Sequence, residues 1–191
     1  LERAAIASER SRECFVEALE SLTETKTDNK SSLKMPEVPL EGSADIACRL
    51  RVLNKTQQSA VLTTVSDQMP YPSLVRFTML DDLSGALFLT PKVSTKYHNL
   101  LKSPRVALLM DNRTQSGDDL LETEAITMLG IARLLRKGNK YDQLMHIFLK
   151  KHPDLKSFAE AKTTALIAVE AEKYIHVSQF QVVTVWELQK P

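Results

Sequence analysis

The chain has 191 residues and 21.5 kDa, with 25 Lys and Arg against 24 Asp and Glu, a formal net charge of +1. That balance excludes the strongly basic surface of a nucleic-acid binder and the acidic block of a solvating tail. At 43% hydrophobic and 26% charged residues, the chain suits one globular domain with an appendage. Cys14 and Cys48 form no CxxC pair and fit a reducing, cytoplasmic setting. No apolar run reaches membrane-spanning length, and the first residues lack the basic-then-apolar pattern of a secretory signal. No membrane partner is expected.

The first element in chain order is a helix from Glu2 to Leu22, with Phe15, Ala18, Leu19 and Leu22 on one face. Thr23 to Gly42 is polar and broken by Pro36 and Pro39, so it reads as a linker or extended arm. Residues 1–42 are therefore set apart from a domain spanning 43–191. Ser43 is placed to cap a second helix that carries Ile46, Leu50 and Leu53 on one face. Ser59 to Val65 is β-branched and short, which predicts a strand. Ser66 to Pro70 reads as a turn, and Pro72 opens a strand running from Ser73 to Leu80. Asp81 to Gly85 reads as a hairpin loop in which Gly85 can take a positive φ.

Leu87-Phe88-Leu89 predicts a buried strand bounded by Thr90-Pro91. Ser94 is a good N-cap for a helix through Tyr97, Leu100 and Leu101, closed by Ser103-Pro104. Arg105 to Met110 resumes as a strand, and Asn112 to Leu121 is a polar loop. Glu124 to Leu134 reads as a long strand with Gly130 as a candidate bulge. Lys140 to Lys151 is an amphipathic helix ended by His152-Pro153. Ala165 to Val169 and Val182 to Trp186 are the last predicted strands. Short strands joined by hairpins favour a closed antiparallel barrel over a parallel sheet.

The residues that bear chemistry are few. Ser94, Thr95 and Lys96 put two hydroxyls, free amides and a cation at a helix start, which suits a phosphate. Taken alone, the commoner meaning of that triplet is a cap with a solvated lysine. His98, His146, His152 and His176 show no metal-ligand spacing, so no metal is expected. Asp118 and Asp119 with Glu122 and Glu124 read as a solvated loop rather than a cation site. With five glycines there is no P-loop, GxGxxG or GxSxG, and no side chain stands out as a catalytic acid or base.

Three stretches together carry a resemblance: Pro70-Tyr71-Pro72-Ser73-Leu74-Val75, then Leu87 to Thr90 with Ser94-Thr95-Lys96, then Asn99-Leu100 followed by Pro104-Arg105-Val106-Ala107-Leu108. In order and spacing they resemble the FMN-binding split barrel of the pyridoxamine 5′-phosphate oxidase-like superfamily. His152-Pro153-Asp154, with the strand through Glu170, His176 and Val177, resembles its branch related to bacterial heme-utilisation proteins. The likeness covers most of Ile46 to Val183. It implies an α+β fold dominated by β: a split antiparallel barrel with flanking helices, plus an N-terminal helical extension.

The resemblance also implies a site. FMN would be held by Ser73, Leu74, Val75 and Arg76 from one strand, Leu89 and Thr90 from the next, and Ser94, Thr95 and Lys96 at the phosphate. Arg76 and Lys96 would be the two cations. The ring would lie in a groove between two subunits, so a homodimer is expected, with the partner's last strands near the flavin, Trp186 among the candidates. The activity implied is that of an FMN-dependent oxidoreductase acting on a small molecule. The alternative is an FMN- or heme-binding protein for storage, sensing or heme utilisation. Three departures bear on this. Thr95 stands where the oxidase has Arg. The segment Val185 to Pro191 lacks the arginine that would hold a pyridoxamine phosphate. The stretch around His176 lacks the glycines of heme-degrading relatives, which weakens an axial-ligand role.

Overall fold

The computed structural model describes residues 43–113, 123–178 and 182–188. The helix expected over Glu2 to Leu22, the linker after it and most of the Asn112 to Leu121 loop lie outside these residues. Helix α1 (Ser43–Thr56) buries Ile46, Leu50 and Leu53 completely, as their spacing predicts. Strands β1 (Ser59–Ser66) and β2 (Met69–Met79) form a hairpin paired from Ser59↔Arg76 to Ser66↔Met69. Only Asp67 and Gln68 form its turn, with φ of 50° and 67°, the two positive values that match a tight hairpin to the twist of its strands. Strand β2 therefore starts earlier than Pro72. Its proline-bearing half is an edge, because β3 pairs with β2 only at Phe77 to Met79, so a missing N–H breaks no ladder there.

Strand β3 (Gly85–Pro91) leads into helix α2 (Thr95–Lys102) and strand β4 (Arg105–Asp111). Then come β5 (Ala125–Leu134), helix α3 (Asn139–Lys151), a 3-10 turn at Pro153–Leu155, the short helix α4 (Lys156–Glu160), β6 (Thr164–Ser178) and β7 (Val182–Glu187). The strand order is β3-β2-β1-β4-β5-β6-β7, and β3 also pairs with β6. Six antiparallel strands thus close a barrel, with β7 appended. Strand β6 makes this possible. One edge follows β5, while the other pairs first with β3 as far as Glu170 and then with β7 from Lys173. The sequence predicts a strand over Ala165 to Val169 and, by resemblance, a strand through Glu170, His176 and Val177; the structure joins them into one, and residues 170–173 span the place where the edge changes partner. Helix α4 was not anticipated; its five residues are held by burial of Ala159 rather than by their own propensity.

Alternation along the strands turns Leu62, Val75, Phe77, Phe88, Leu108, Met128 and Tyr174 into one interior cluster that α1 completes. A second cluster lies outside β3 and β6, where Phe148 of α3 and Ala159 cover Leu87, Leu89 and Leu166. Each such large side chain, once fully buried, contributes about 1.5–3 kcal/mol.

Gly85 corrects the sequence reading. It begins β3 instead of turning the loop, and the positive φ falls on the buried Leu83 (φ 59°). What demands glycine at 85 is closeness: a Cβ there would sit 2.0 Å from the Val169 carbonyl oxygen. Gly130 is the expected bulge, at a register shift where a Cβ would meet the Glu170 oxygen at 2.2 Å. Gly85→Ala is therefore expected to lower unfolding free energy by about 1–3 kcal/mol in urea titration. Val93→Ala, at a side chain 81% exposed, should change it by no more than about 0.5 kcal/mol.

Candidate functional site

The turn from β3 into α2 is built by two hydroxyls. Ser94 has extended dihedrals (φ −78°, ψ 149°), and its Oγ accepts the Tyr97 N–H at 3.3 Å. The same hydroxyl donates to the Pro91 carbonyl at 2.8 Å. It has one hydrogen, so Thr90 must be the donor in the 2.9 Å contact between Thr90 Oγ1 and Ser94 Oγ. Ser94 is then fully used as a cap. What the helix start still offers an anion is the amides of Thr95 and Lys96, which have no carbonyl one turn back, the positive end of the helix dipole and the Lys96 ammonium. Lys96 is half-buried and makes no ion pair among the described residues. The helix itself is pinned from below: the buried Asn99 donates to Thr64 Oγ1 at 3.0 Å, and Thr64 donates on to the Tyr71 carbonyl at 3.3 Å.

The remaining residues expected at the site are dispersed. Ser73 Oγ donates to the Leu62 carbonyl at 3.4 Å, while Leu74 is 69% exposed on the outward face of β2. Val75 faces the core, and Leu89 belongs to the cluster under α3. Thr90 shares the inward face of Phe88, whereas Arg76 shares the outward face of Leu74. There the Arg76 charge acts on Lys151 and His152 of the α3 end. The structure thus joins Thr90 to Ser94, sets Thr95 and Lys96 at the same helix start, and leaves Arg76 exposed on the outward face of β2.

The sequence reading did not find the groove on the outward face of the sheet. It has a volume of about 580 Å³, within the range of small-molecule sites, and Thr63, Val65, Arg105, Ala107, Leu129 and Glu187 are among its lining. None of the nine residues expected to hold FMN lines it. These lining residues come from separate strands, and no local motif announces such a set. Among the described residues, no group of three His, Cys, Asp or Glu could hold a metal, and no helix is long and apolar enough to cross a membrane.

Two histidines are structural. His176, 3% exposed, lies 3.1 Å through Nε2 from Glu124 Oε2, and Arg49 Nε approaches the same oxygen at 3.5 Å. That nitrogen is occupied inside the barrel, which removes it as an open axial position. Glu124 is likewise a buried partner and no part of a solvated acidic loop; Asp118, Asp119 and Glu122 lie outside the described residues. His152, 1% exposed, donates from Nε2 to the Phe77 carbonyl at 2.8 Å and packs on Phe148 at 4.8 Å between centroids. Trp186 packs on Tyr174 of its own barrel at 5.5 Å.

The family description of pyridoxamine 5′-phosphate oxidase matches residues 49–178. No curated protein matches the sequence significantly. Among solved structures, a heme binding protein from Mycobacterium smegmatis is similar at a TM-score of 0.62 and 14% identity, over 71% of this chain and 56% of that one. The chain therefore spans little more than half the length of that protein. HutZ, the heme storage protein from Vibrio cholerae, is similar at 0.58 and 16% identity, over 65% and 88% of the two chains. A FAD-binding protein from Mesorhizobium loti is similar at 0.54 and 17%, over 68% and 90%. Identities this low speak for the fold alone.

Burial pushes the His152 imidazole below its ordinary value of 6.5, against the opposing pull of the Phe77 carbonyl. The unfolded chain then takes the proton more readily, so this stability is complete above 6.5 and is lost as pH falls below it. Melting temperature should drop from pH 7.5 to about 5.5, and His152→Gln should flatten that drop. An equal slope in both proteins would remove His152 from the acid response.

Proposed function

The chain belongs to the pyridoxamine 5′-phosphate oxidase family, and from that membership we propose that it is an FMN-binding flavoprotein that oxidises or reduces a small molecule. The observation that supports this reading is the start of α2, where Thr95 and Lys96 bring two amides with no carbonyl one turn back, a hydroxyl and an ammonium to the positive end of an eight-residue helix. A phosphate dianion matches that set. The donor set fits the ester end of FMN even though Thr95 replaces a cation, because Lys96 has no competing carboxylate among the described residues.

When bound, FMN supplies the redox step through its ring; the chain binds, orients and shields it. The outward face of the sheet provides the flat apolar surface for such a ring, with Leu74 69% and Leu129 36% exposed. We include in the proposal a homodimer in which a second copy of the chain covers that face. Arg76, exposed on the same outward face as Leu74, stays in the proposal as the second cation. No side chain near the helix start is placed as a proton donor to a substrate, so the role of the protein is positioning.

A heme-binding role is the second reading, supported by the names of two solved neighbours. The buried His176 does not serve it, which leaves the exposed His98 as the histidine able to reach a ligand near α2. Titration separates the readings. FMN should bind with quenching of its fluorescence, and Lys96→Ala should weaken binding by about 1.5–3 kcal/mol, roughly 10- to 150-fold. Unchanged affinity would take Lys96 out of the site. A Soret shift with hemin that is lost in His98→Ala, without FMN binding, would favour the heme reading.

A further inference from the structure

Helix α2 is eight residues long, too short to hold itself together in water, so its direction is set by what it rests on. Two of its side chains are buried, Asn99 and Leu100. Leu100 enters the interior cluster, and an apolar contact of that kind holds the helix down without fixing where it points. Asn99 differs. A buried amide costs free energy unless it is bonded, and an apolar side chain would pack there without that cost. What Asn99 contributes is direction, which Leu100 cannot supply.

The sense of each bond is fixed. Thr64, fully buried on β1, has one hydroxyl hydrogen and donates it to the Tyr71 carbonyl. Its Oγ1 is then an acceptor, so Asn99 presents its NH2 group there, at 3.0 Å, and not its carbonyl. The relay runs from α2 through β1 to β2. At its start the helix is already held once. Thr90 donates to the Ser94 hydroxyl at 2.9 Å. Just before it, the Lys92 N–H donates to the Thr163 carbonyl and the Lys92 Nζ to the Lys162 carbonyl, both at 2.8 Å. A rod held near one end can still pivot. Asn99 lies five residues beyond Ser94, about 7.5 Å along the axis, and supplies a second point. Two directional attachments fix a line, and that line aims the Thr95 and Lys96 amides and the positive end of the dipole.

Resting on the flavin reading of the α2 start, we propose that Asn99, acting through Thr64, is a positioning residue for the phosphate of FMN. It aims the helix start at the phosphate without touching it. The far end of the relay is Tyr71 on β2, three residues before Leu74, so the phosphate end is set in register with the strand proposed to face the ring. Asn99 therefore acts on the phosphorylated flavin alone. Riboflavin carries the same ring and no phosphate, and it gains nothing from the aim of α2.

Fluorescence titration of the full chain with FMN and with riboflavin tests this. Thr64→Val keeps the shape and removes the hydroxyl. It should weaken FMN binding by about fivefold or more and riboflavin binding by less than about twofold. Thr64→Ser keeps the hydroxyl and should hold FMN affinity within about twofold of the unaltered protein. Asn99→Ala should match Thr64→Val, and if it fails to fold the two Thr64 variants carry the test. In a Lys96→Ala background, Thr64→Val should cost less than it does alone, because both changes act on one phosphate. Equal losses for FMN and riboflavin would make the relay a support of the fold only and overturn the proposal, as would full FMN affinity in Thr64→Val. Either result leaves the flavin reading standing, whereas no FMN binding by the unaltered protein removes both.

Discussion

The fold rests on the ability of β6 to hydrogen-bond two different strands along one edge. Its first half closes the barrel against β3, and its second half leaves the barrel and pairs with β7. The exchange occurs beside two places with no room for a Cβ, Gly85 against Val169 and Gly130 against Glu170. Closure pairs β3 with β6, which would otherwise leave an open edge there; the edge half of β2 that remains carries Pro70 and Pro72. Closure also forces β6 to carry a polar stretch through a β ladder, because residues 170–173 lie at the split and need not face a core on both sides.

Closure then decides where the helices go. Helix α1 caps the interior with three leucine-sized side chains, while α3 and α4 cover the outer surface of β3 and β6. Helix α2 buries Leu100 in the interior cluster and is fixed by polar contacts as well, the Asn99–Thr64–Tyr71 chain below and the Thr90–Ser94–Pro91 chain at its start. These bonds satisfy the hydroxyls internally and leave amides and a lysine facing outward. A helix start so fixed needs no reorganisation to receive an anion, which favours binding by preorganisation.

The charged groups follow one rule with different outcomes. Where a buried polar group has a neutral or opposite partner, it holds the structure: His152 on the Phe77 carbonyl, His176 on Glu124, Tyr174 on the Leu83 carbonyl. Lys151 follows it too, its ammonium held by the Asn54 amide oxygen and the face of the Phe77 ring.

Local pattern alone determined a helix after Ser43, one opened by the Ser94 cap and one over Lys140 to Lys151, with the Gly130 bulge and the antiparallel barrel class. Each depends on periodicity or on a residue whose backbone preference is strong. It also carried the motif order that the family match bears out. Tertiary structure alone decided that β6 runs fifteen residues and that Gly85 is there for close approach and not for a turn. Those outcomes depend on which strands meet across long sequence separations and which way a barrel turns each side chain. Spacing along the chain records what a residue prefers; only the closed sheet decides what it meets.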